Sequence, residues 1–346
     1  MAMKQLIRSL IVGLLFVVLV ACGNKDGLLD SPIKETGFVI GTVVNISVYD
    51  EGHEDTVEGA FDLIADWEQI LSDEIDSSET SKINQMAGIE PVKVSAPVFH
   101  LVEESIRYGD LSDGGFDITT GPLTNLWRIG YDDARKPSQA EIDATLSVVD
   151  HEQVELDKEN QTVFLPIEGM EIDLGAIAKG FIADEVVKYF DEQGVTTAII
   201  DLGGNVYVKG NRPSGEAWTV GVQNPYLGRG QLLGRIRASD LSVVTSGIYE
   251  RYLEVDGETY HHILDPDTGY PFENEIAGVT IASETSLAGD ALSTAVFSLG
   301  LEDGLALIED LPDVEAVFVT KDRRIVLSSG LTDTFEVLND NFETVK

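Results

Sequence analysis

The stretch YERYLEVDGETYHHIL, residues 249–264, carries the clearest folding instruction in the chain. Two runs rich in Tyr, Leu, Val, Thr and His flank Asp256-Gly257. A two-residue Asp-Gly loop favours positive φ at both positions, the type I′ geometry that returns a strand beside itself. The stretch therefore predicts an antiparallel hairpin, Tyr249–Val255 against Glu258–Leu264. Strand-like segments continue back to Thr197, with Asp201-Leu202-Gly203-Gly204-Asn205 as another turn between strands and Val244-Thr245-Ser246-Gly247 ending a strand. Beyond the hairpin come a strand over Ile276–Ala282, a helix over Ser286–Leu299 closed by Gly300, a helix over Leu301–Asp310, and a hairpin around Lys321-Asp322.

The N-terminal half is more helical. Val57, Phe61, Ile64, Trp67 and Leu71 recur at helical spacing, predicting a helix over Thr56–Ser72 that Ser77-Ser78-Glu79 breaks. Pro97 suits the first turn of a second helix, and Ser138 with Glu141 forms a capping box. Gly114–Trp127 reads as a loop leading into a short helix, and Gly37–Tyr49 as a strand. Short strands over Gln153–Asp173 precede a helix stopped by Gly194. Helices mixed with hairpins, without a βαβ rhythm, predict an α+β fold with largely antiparallel sheets and packed helices. One domain over 36–330 and a C-terminal tail over 331–346 follow.

With 346 residues, 43% of them hydrophobic, the chain can bury a sizeable core. Its 61 acidic and 23 basic residues give a net charge of −38, a field that repels phosphates and disfavours nucleic-acid binding. An anionic ligand would need a metal ion or locally placed cations and amides. The single cysteine excludes an intramolecular disulfide. Lys4 and Arg8, the apolar run Leu10–Val20 and then Ala21-Cys22 resemble a bacterial lipoprotein signal. That predicts a leader over 1–21, a lipidated Cys22, a flexible tether over 22–35 and a membrane-anchored location on the extracytoplasmic side. A plain membrane anchor is the alternative, although the apolar run is short of the ~20 residues a span needs.

Three constellations could carry chemistry. Asp290 and Thr294 share one face of a helix beside an apolar stripe of Leu287, Ala291, Ala295 and Leu299. Two hard oxygen donors suit Mg²⁺ completed by water and phosphate; a solvated Asp and a Thr bonded back to its own helix is the other reading. The run Glu171–Gly180 passes from strand through a small-residue turn into a helix. There Lys179 sits in the first turn, where the macrodipole disfavours a cation unless an anion binds; a solvated lysine over a close-packed turn remains open. In the hairpin, only one of His261 and His262 can face a cleft, as a base or as a packing group. Gly115-Phe116-Asp117 puts an aromatic and a carboxylate on a glycine-rich loop, suited to gripping a planar ring.

Taken in order, Gly41-Thr42, Ser78-Glu79 with Ile83-Asn84, Gly115-Phe116-Asp117, Gly121-Pro122, Asp173–Gly180, Asp201–Asn205, Thr245-Ser246-Gly247, His262–Pro266 with Thr268-Gly269, and Asp290–Thr294 resemble the ApbE family of FAD:protein FMN transferases. The resemblance implies a T-fold-like architecture with an FAD cleft between two lobes. It implies Mg²⁺ held by Asp290, Thr294 and the Ala176 carbonyl, an FAD site lined by Ile40, Gly115, Phe116, Asp117, Asp173, Lys179 and Ile263, and His262 beside the reacting phosphate. The implied reaction moves FMN from FAD to a Thr or Ser hydroxyl of a membrane or extracellular target protein, forming a phosphoester and releasing AMP. Two positions depart from the family: Ile40 replaces a common Met, and Glu74 replaces a common aromatic. Two rival readings use the same residues, an Mg²⁺-dependent FAD pyrophosphatase and an FAD-binding lipoprotein without turnover.

Overall fold

A computed structural model describes residues 27–228 and 230–345; the expected leader, Cys22 and the start of the tether lie outside the described residues. The chain opens with β1 (Leu28–Val39) and β2 (Thr42–Asp50), a hairpin whose two-residue turn has positive φ at Ile40 and Gly41. The tether expected through residue 35 is therefore strand from Leu28 onward, with Ile33 opposite Val48. Its polar, Pro-containing composition reads as linker, but pairing with β2 supplies the backbone partners that composition does not reveal. Helix α1 (Glu54–Leu71) crosses this hairpin, Phe61 lying against Gly37.

After a turn over 72–78 comes helix α2 (Glu79–Gln85), its N-terminus capped by the Ser78 hydroxyl, which accepts from Ser81 N–H at 2.8 Å. Ser77-Ser78-Glu79, expected to break α1, instead starts α2; α1 has already ended at Leu71 with Ser72 as its cap. Next come β3 (Val92–Lys93), α3 (Ala96–Leu111), α4 (Gly121–Trp127), α5 (Gln139–Leu146) behind its capping box, β4 (Glu155–Asp157), β5 (Thr162–Phe164) and α6 (Ala178–Gln193). Gly194 ends α6 at φ 79°, as its place in the sequence predicts. The second half runs β6 (Ala198–Leu202), β7 (Asn205–Lys209), β8 (Trp218–Gln223), β9 (Leu232–Ala238), β10 (Leu241–Gly247), β11 (Tyr252–Val255) and β12 (Glu258–His261). It closes with β13 (Ile276–Ser283), α7 (Ser286–Asp310), β14 (Val314–Thr320), β15 (Arg324–Leu327), β16 (Glu336–Val337) and β17 (Glu343–Val345).

Among the described residues, nine strands form one sheet in the order β1-β2-β6-β7-β10-β13-β14-β15-β17, antiparallel except for β15 beside β17. One face carries α1, α6 and α7 over a core that includes Val44, Ile46, Ile64, Val186, Ala291 and Ala295. The small sheet β8-β9-β16 covers much of the other face through Trp218, Val220, Leu233 and Ile236. Strand β13, buried at every position, lies between both layers. A third cluster, Trp127, Ile129, Ile142 and Tyr260, ties α4 and α5 to the β11–β12 hairpin.

Three further boundaries differ from expectation. The hairpin turn falls at Asp256-Gly257, with φ of 54° and 85°, but its strands are shorter, so His262 lies just past the end of β12. The expected tail over 331–346 is structured through residue 345: β16 pairs with β9, β17 pairs with β15, and Phe342 is buried. The two expected helices after β13 run on as α7 across a break at Gly300, where φ is 81° and ψ −179°. By length and apolar character α7 would pass for a membrane span, but Ala291, Ala295, Val296 and Phe297 have no exposed surface.

Candidate functional site

The turn before α6 is fixed from three sides. The Asn84 side chain donates to the Ile172 carbonyl (3.0 Å) and accepts from the Ile172 amide (2.8 Å), imitating a neighbouring strand. The Asp173 amide donates to the Ile118 carbonyl at 2.7 Å, and its carboxylate accepts from Gly175 N–H at 2.8 Å. Gly121 packs against the Glu171 backbone, where a Cβ would lie 2.8 Å from the carbonyl oxygen. The chain enters α6 with Lys179 in its first turn.

Across this turn stands α7. Lys179 Nζ lies 3.2 Å from each Asp290 carboxylate oxygen and donates to the Gly175 carbonyl at 3.0 Å. The Gly180 amide donates to Asp290 Oδ2 at 2.9 Å. The unfavourable placing of Lys179 at a helix N-terminus is thus answered by a carboxylate of the neighbouring helix. Burial pushes the Asp290 carboxyl up; Lys179, the Gly180 amide and the Asn205 amide oppose it. Thr294, one turn further on, is half-buried on the same helix. Ser293 hydrogen-bonds Ser246 at 2.7 Å, and Thr245 reaches Thr280 at 2.8 Å, so the hydroxyl residues ending β10 tie α7 and β13 to that strand.

Only one histidine of the pair faces outward. His261 is buried, its Nε2 3.0 Å from the Phe272 carbonyl and its ring edge-on to Phe297. Burial pushes it down to about 4. His262 is half-buried, with Nδ1 3.3 Å from the Arg251 carbonyl. An Nδ1–H donating there leaves Nε2 as the acceptor. Burial first, then Arg251, His261 and Lys179, push His262 down to about 3. The ring is therefore neutral at physiological pH and within electrostatic reach of Lys179. Ile263 turns its side chain into the main core.

The aromatic-carboxylate loop behaves differently from its expected role. Phe116 is 1% exposed and packs edge-on against Tyr108 at 6.2 Å, so it grips no planar ring. Asp117 accepts from the Thr119 amide and hydroxyl, both at 2.6 Å, and from the His151 amide at 3.0 Å. Gly115 lies so close to Ser298 of α7 that a Cβ would overlap its hydroxyl. What this loop presents is backbone, because both larger side chains serve the fold. Ile40 occupies the tip of the β1–β2 hairpin in the left-handed region at φ 51°, unusual for a β-branched residue. That tip lies at the same sheet end as the Gly203-Gly204 turn and Asn205, with Thr42 packed against Gly203.

Sequence reasoning assigned no role to three groups. Asn84 stood in a motif without a task, Asp184 carries no local signal, and Asp73 is marked only by its surroundings. Burial, then Asp173, Glu74 and Glu171, push the Asp73 carboxyl up to about 6. Glu74 therefore adds to an acidic corner, and it also helps raise the nearby Tyr131 hydroxyl.

The donor set fits a hard cation. A buried carboxylate and a backbone carbonyl already surround an ammonium here, which shows that these oxygens accept positive charge. Among the described residues, no three His, Cys, Asp or Glu side chains gather for a metal, so an ion at Asp290 would rely on hydroxyl, carbonyl and phosphate oxygens. A hollow of about 140 Å³ between Arg212, Arg235, Arg237 and Glu336 lies on the small sheet, away from this chemistry. It is well below the roughly 300–1,000 Å³ of ligand pockets.

The model of the ApbE family matches residues 40–318. A Klebsiella pneumoniae (strain 342) protein named FAD:protein FMN transferase is 41% identical, over 89% of this chain and 95% of that protein. A Treponema pallidum (strain Nichols) protein of the same name is 36% identical over 93% of each. The crystal structure of the ApbE protein of Thermotoga maritima superposes with a TM-score of 0.78 at 32% identity, covering 87% of this chain and 98% of that one.

Proposed function

We infer what the site does from one premise: the chain belongs to the ApbE family. It is a transferase that moves FMN from FAD to a target protein. The finer chemistry proposed here rests on one observation, the meeting of Lys179 and Asp290 across 111 positions of sequence. Both groups border a small-residue turn that lets a diphosphate approach the backbone.

A Thr or Ser hydroxyl of the target attacks the FMN-side phosphorus of FAD. The new phosphoester bond forms as the bond to the bridging oxygen breaks, and AMP leaves. His262, neutral and with a free acceptor nitrogen on the side away from Arg251, takes the hydroxyl proton. Lys179 turns from Asp290 toward the diphosphate and offsets its charge on an otherwise acidic protein. Asp173 and the backbone at Gly115 and Ile40 line the dinucleotide. Mg²⁺ held by Asp290, Thr294 and the Ala176 carbonyl would neutralise and orient the diphosphate. The enzyme works outside the cytoplasmic membrane, anchored through Cys22.

Water in place of the hydroxyl gives a second reading, hydrolysis of FAD to FMN and AMP. Glu74, at the position where the resemblance implies an aromatic, leaves room for it as a side activity. Incubation with FAD, Mg²⁺ and a candidate acceptor, read by in-gel flavin fluorescence and intact mass, tests both. Covalent fluorescence on the acceptor with stoichiometric AMP supports transfer to a hydroxyl. Sustained AMP release without acceptor supports hydrolysis. Bound FAD with neither product would sink both readings.

A further inference from the structure

We propose that Asp184 is a positioning residue for the transfer reaction: from the helix that carries Lys179, its carboxylate grips the start of the helix that carries Asp290 and holds the two in register. Asp184 Oδ1 accepts from the Ser286 amide at 2.7 Å and Oδ2 from the Leu287 amide at 2.9 Å. These are amides of the first turn of α7, which lack partners within their own helix. The local cap, Thr285 accepting from the Ala288 amide, is long at 3.4 Å. The strong cap on α7 therefore comes from another helix.

The arrangement closes a loop of contacts. Asp184 lies little more than one turn after Lys179 on α6, and Asp290 lies one turn after Ser286 on α7. At one end the two helices are joined by Asp184; at the other, by the Gly180 amide and Lys179 on the Asp290 carboxylate. Between these links Gly180 approaches so closely that a Cβ would overlap the Ser286 carbonyl oxygen. The Ser286 hydroxyl donates to Asn205 Oδ1 and accepts from Ser242 at 3.0 Å, fastening the same point to β7 and β10. Asp184 and Ser286 are not among the groups read as meeting the diphosphate. The effect of this node is to fix where Asp290 stands relative to Lys179.

The inference rests on the reading of Lys179 and Asp290 as the groups that meet the diphosphate. The test compares Asp184→Ala, Asp184→Asn and Asp290→Ala in FMN transfer to an acceptor, with kcat and the KM for FAD measured separately and normalised to folded protein. Misplacement by about an ångström costs about 10²-fold in rate. Asp184→Ala is expected to lose kcat on that order with KM for FAD little changed, and Asp184→Asn, which keeps one acceptor oxygen, to recover part of the loss. Should the alanine variant fail to fold, the asparagine variant alone is expected to show reduced kcat at unchanged KM. Wild-type kcat per folded molecule in either variant, or a loss carried entirely by KM, overturns the proposal. Full transfer by Asp290→Ala overturns the underlying site reading whatever Asp184 does, and takes this proposal with it.

Discussion

Lys179 holds its ammonium nitrogen equidistant from the two carboxylate oxygens of Asp290, 3.2 Å from each. The Asp290 side chain is 5% exposed and the lysine 28%, so removing the cation strands a buried anion, whereas removing the anion frees a lysine that can reach water. Lys179→Met is therefore expected to cost about 3 kcal/mol in urea unfolding, and Asp290→Asn distinctly less. The double variant should regain stability over Lys179→Met yet transfer no FMN. A double variant that stays as unstable as the single would show that the pair is not coupled.

His262→Ala should lower transfer by about 10²–10⁴-fold while FAD still binds, as loss of a positioned base does. Because His262 is pushed down to about 3, its base form persists across ordinary assay conditions. The acid limb of kcat/KM should therefore show no histidine titration near 6.5. A limb there that vanishes in His262→Gln contradicts the assigned environment. The sign for stability is also set: between about pH 6.5 and 3 the unfolded chain binds a proton that the folded chain refuses, so this residue makes stability fall as pH falls.

Phe116→Ala is expected to act on the fold before it acts on the ligand. A fully buried phenylalanine truncated to alanine costs about 3–5 kcal/mol. Urea unfolding should show that loss, with FAD affinity preserved in whatever fraction remains folded. A variant of native stability that has lost FAD binding would restore the side chain to the ligand site.

Asp73→Asn should stabilise the protein at alkaline pH. With its carboxyl raised to about 6 by burial and by Asp173, Glu74 and Glu171, Asp73 is bound to a proton in the folded chain between about pH 4 and 6 but not in the unfolded one. Its contribution to stability thus falls as pH rises through that window. Thermal midpoints measured from pH 4 to 8 should separate the variant upward from the wild type at pH 8 and bring the two together near pH 4.

Local signals in the sequence proved readable where one turn of backbone settles the geometry. Asp256-Gly257 sets a hairpin, Ser138 with Glu141 caps a helix, and Gly194 ends one, because each acts within a few residues. Asp290 and Thr294 were legible as a pair for the same reason. What faces them was not legible from spacing, since Lys179 arrives from a different helix; only the family resemblance set the Asp173–Gly180 turn beside them, and the structure brings the two together. Leu28–Glu35 escaped because a strand edge depends on its partner, and Phe116 because a glycine-rich loop gives no hint of which way an aromatic points. Asp184 reads as an ordinary helical carboxylate until the amides of Ser286 and Leu287 appear beside it.

The opening strand β1 and the closing strand β17 form the two outer borders of the same nine-stranded sheet. Deleting β1 or β17 would lay bare a row of unpaired peptide groups on β2 or β15, an invitation to fibrillar stacking between copies. A purification handle is best joined beyond Val345 with a soluble spacer, and deletions meant to trim loose ends should stop short of both borders.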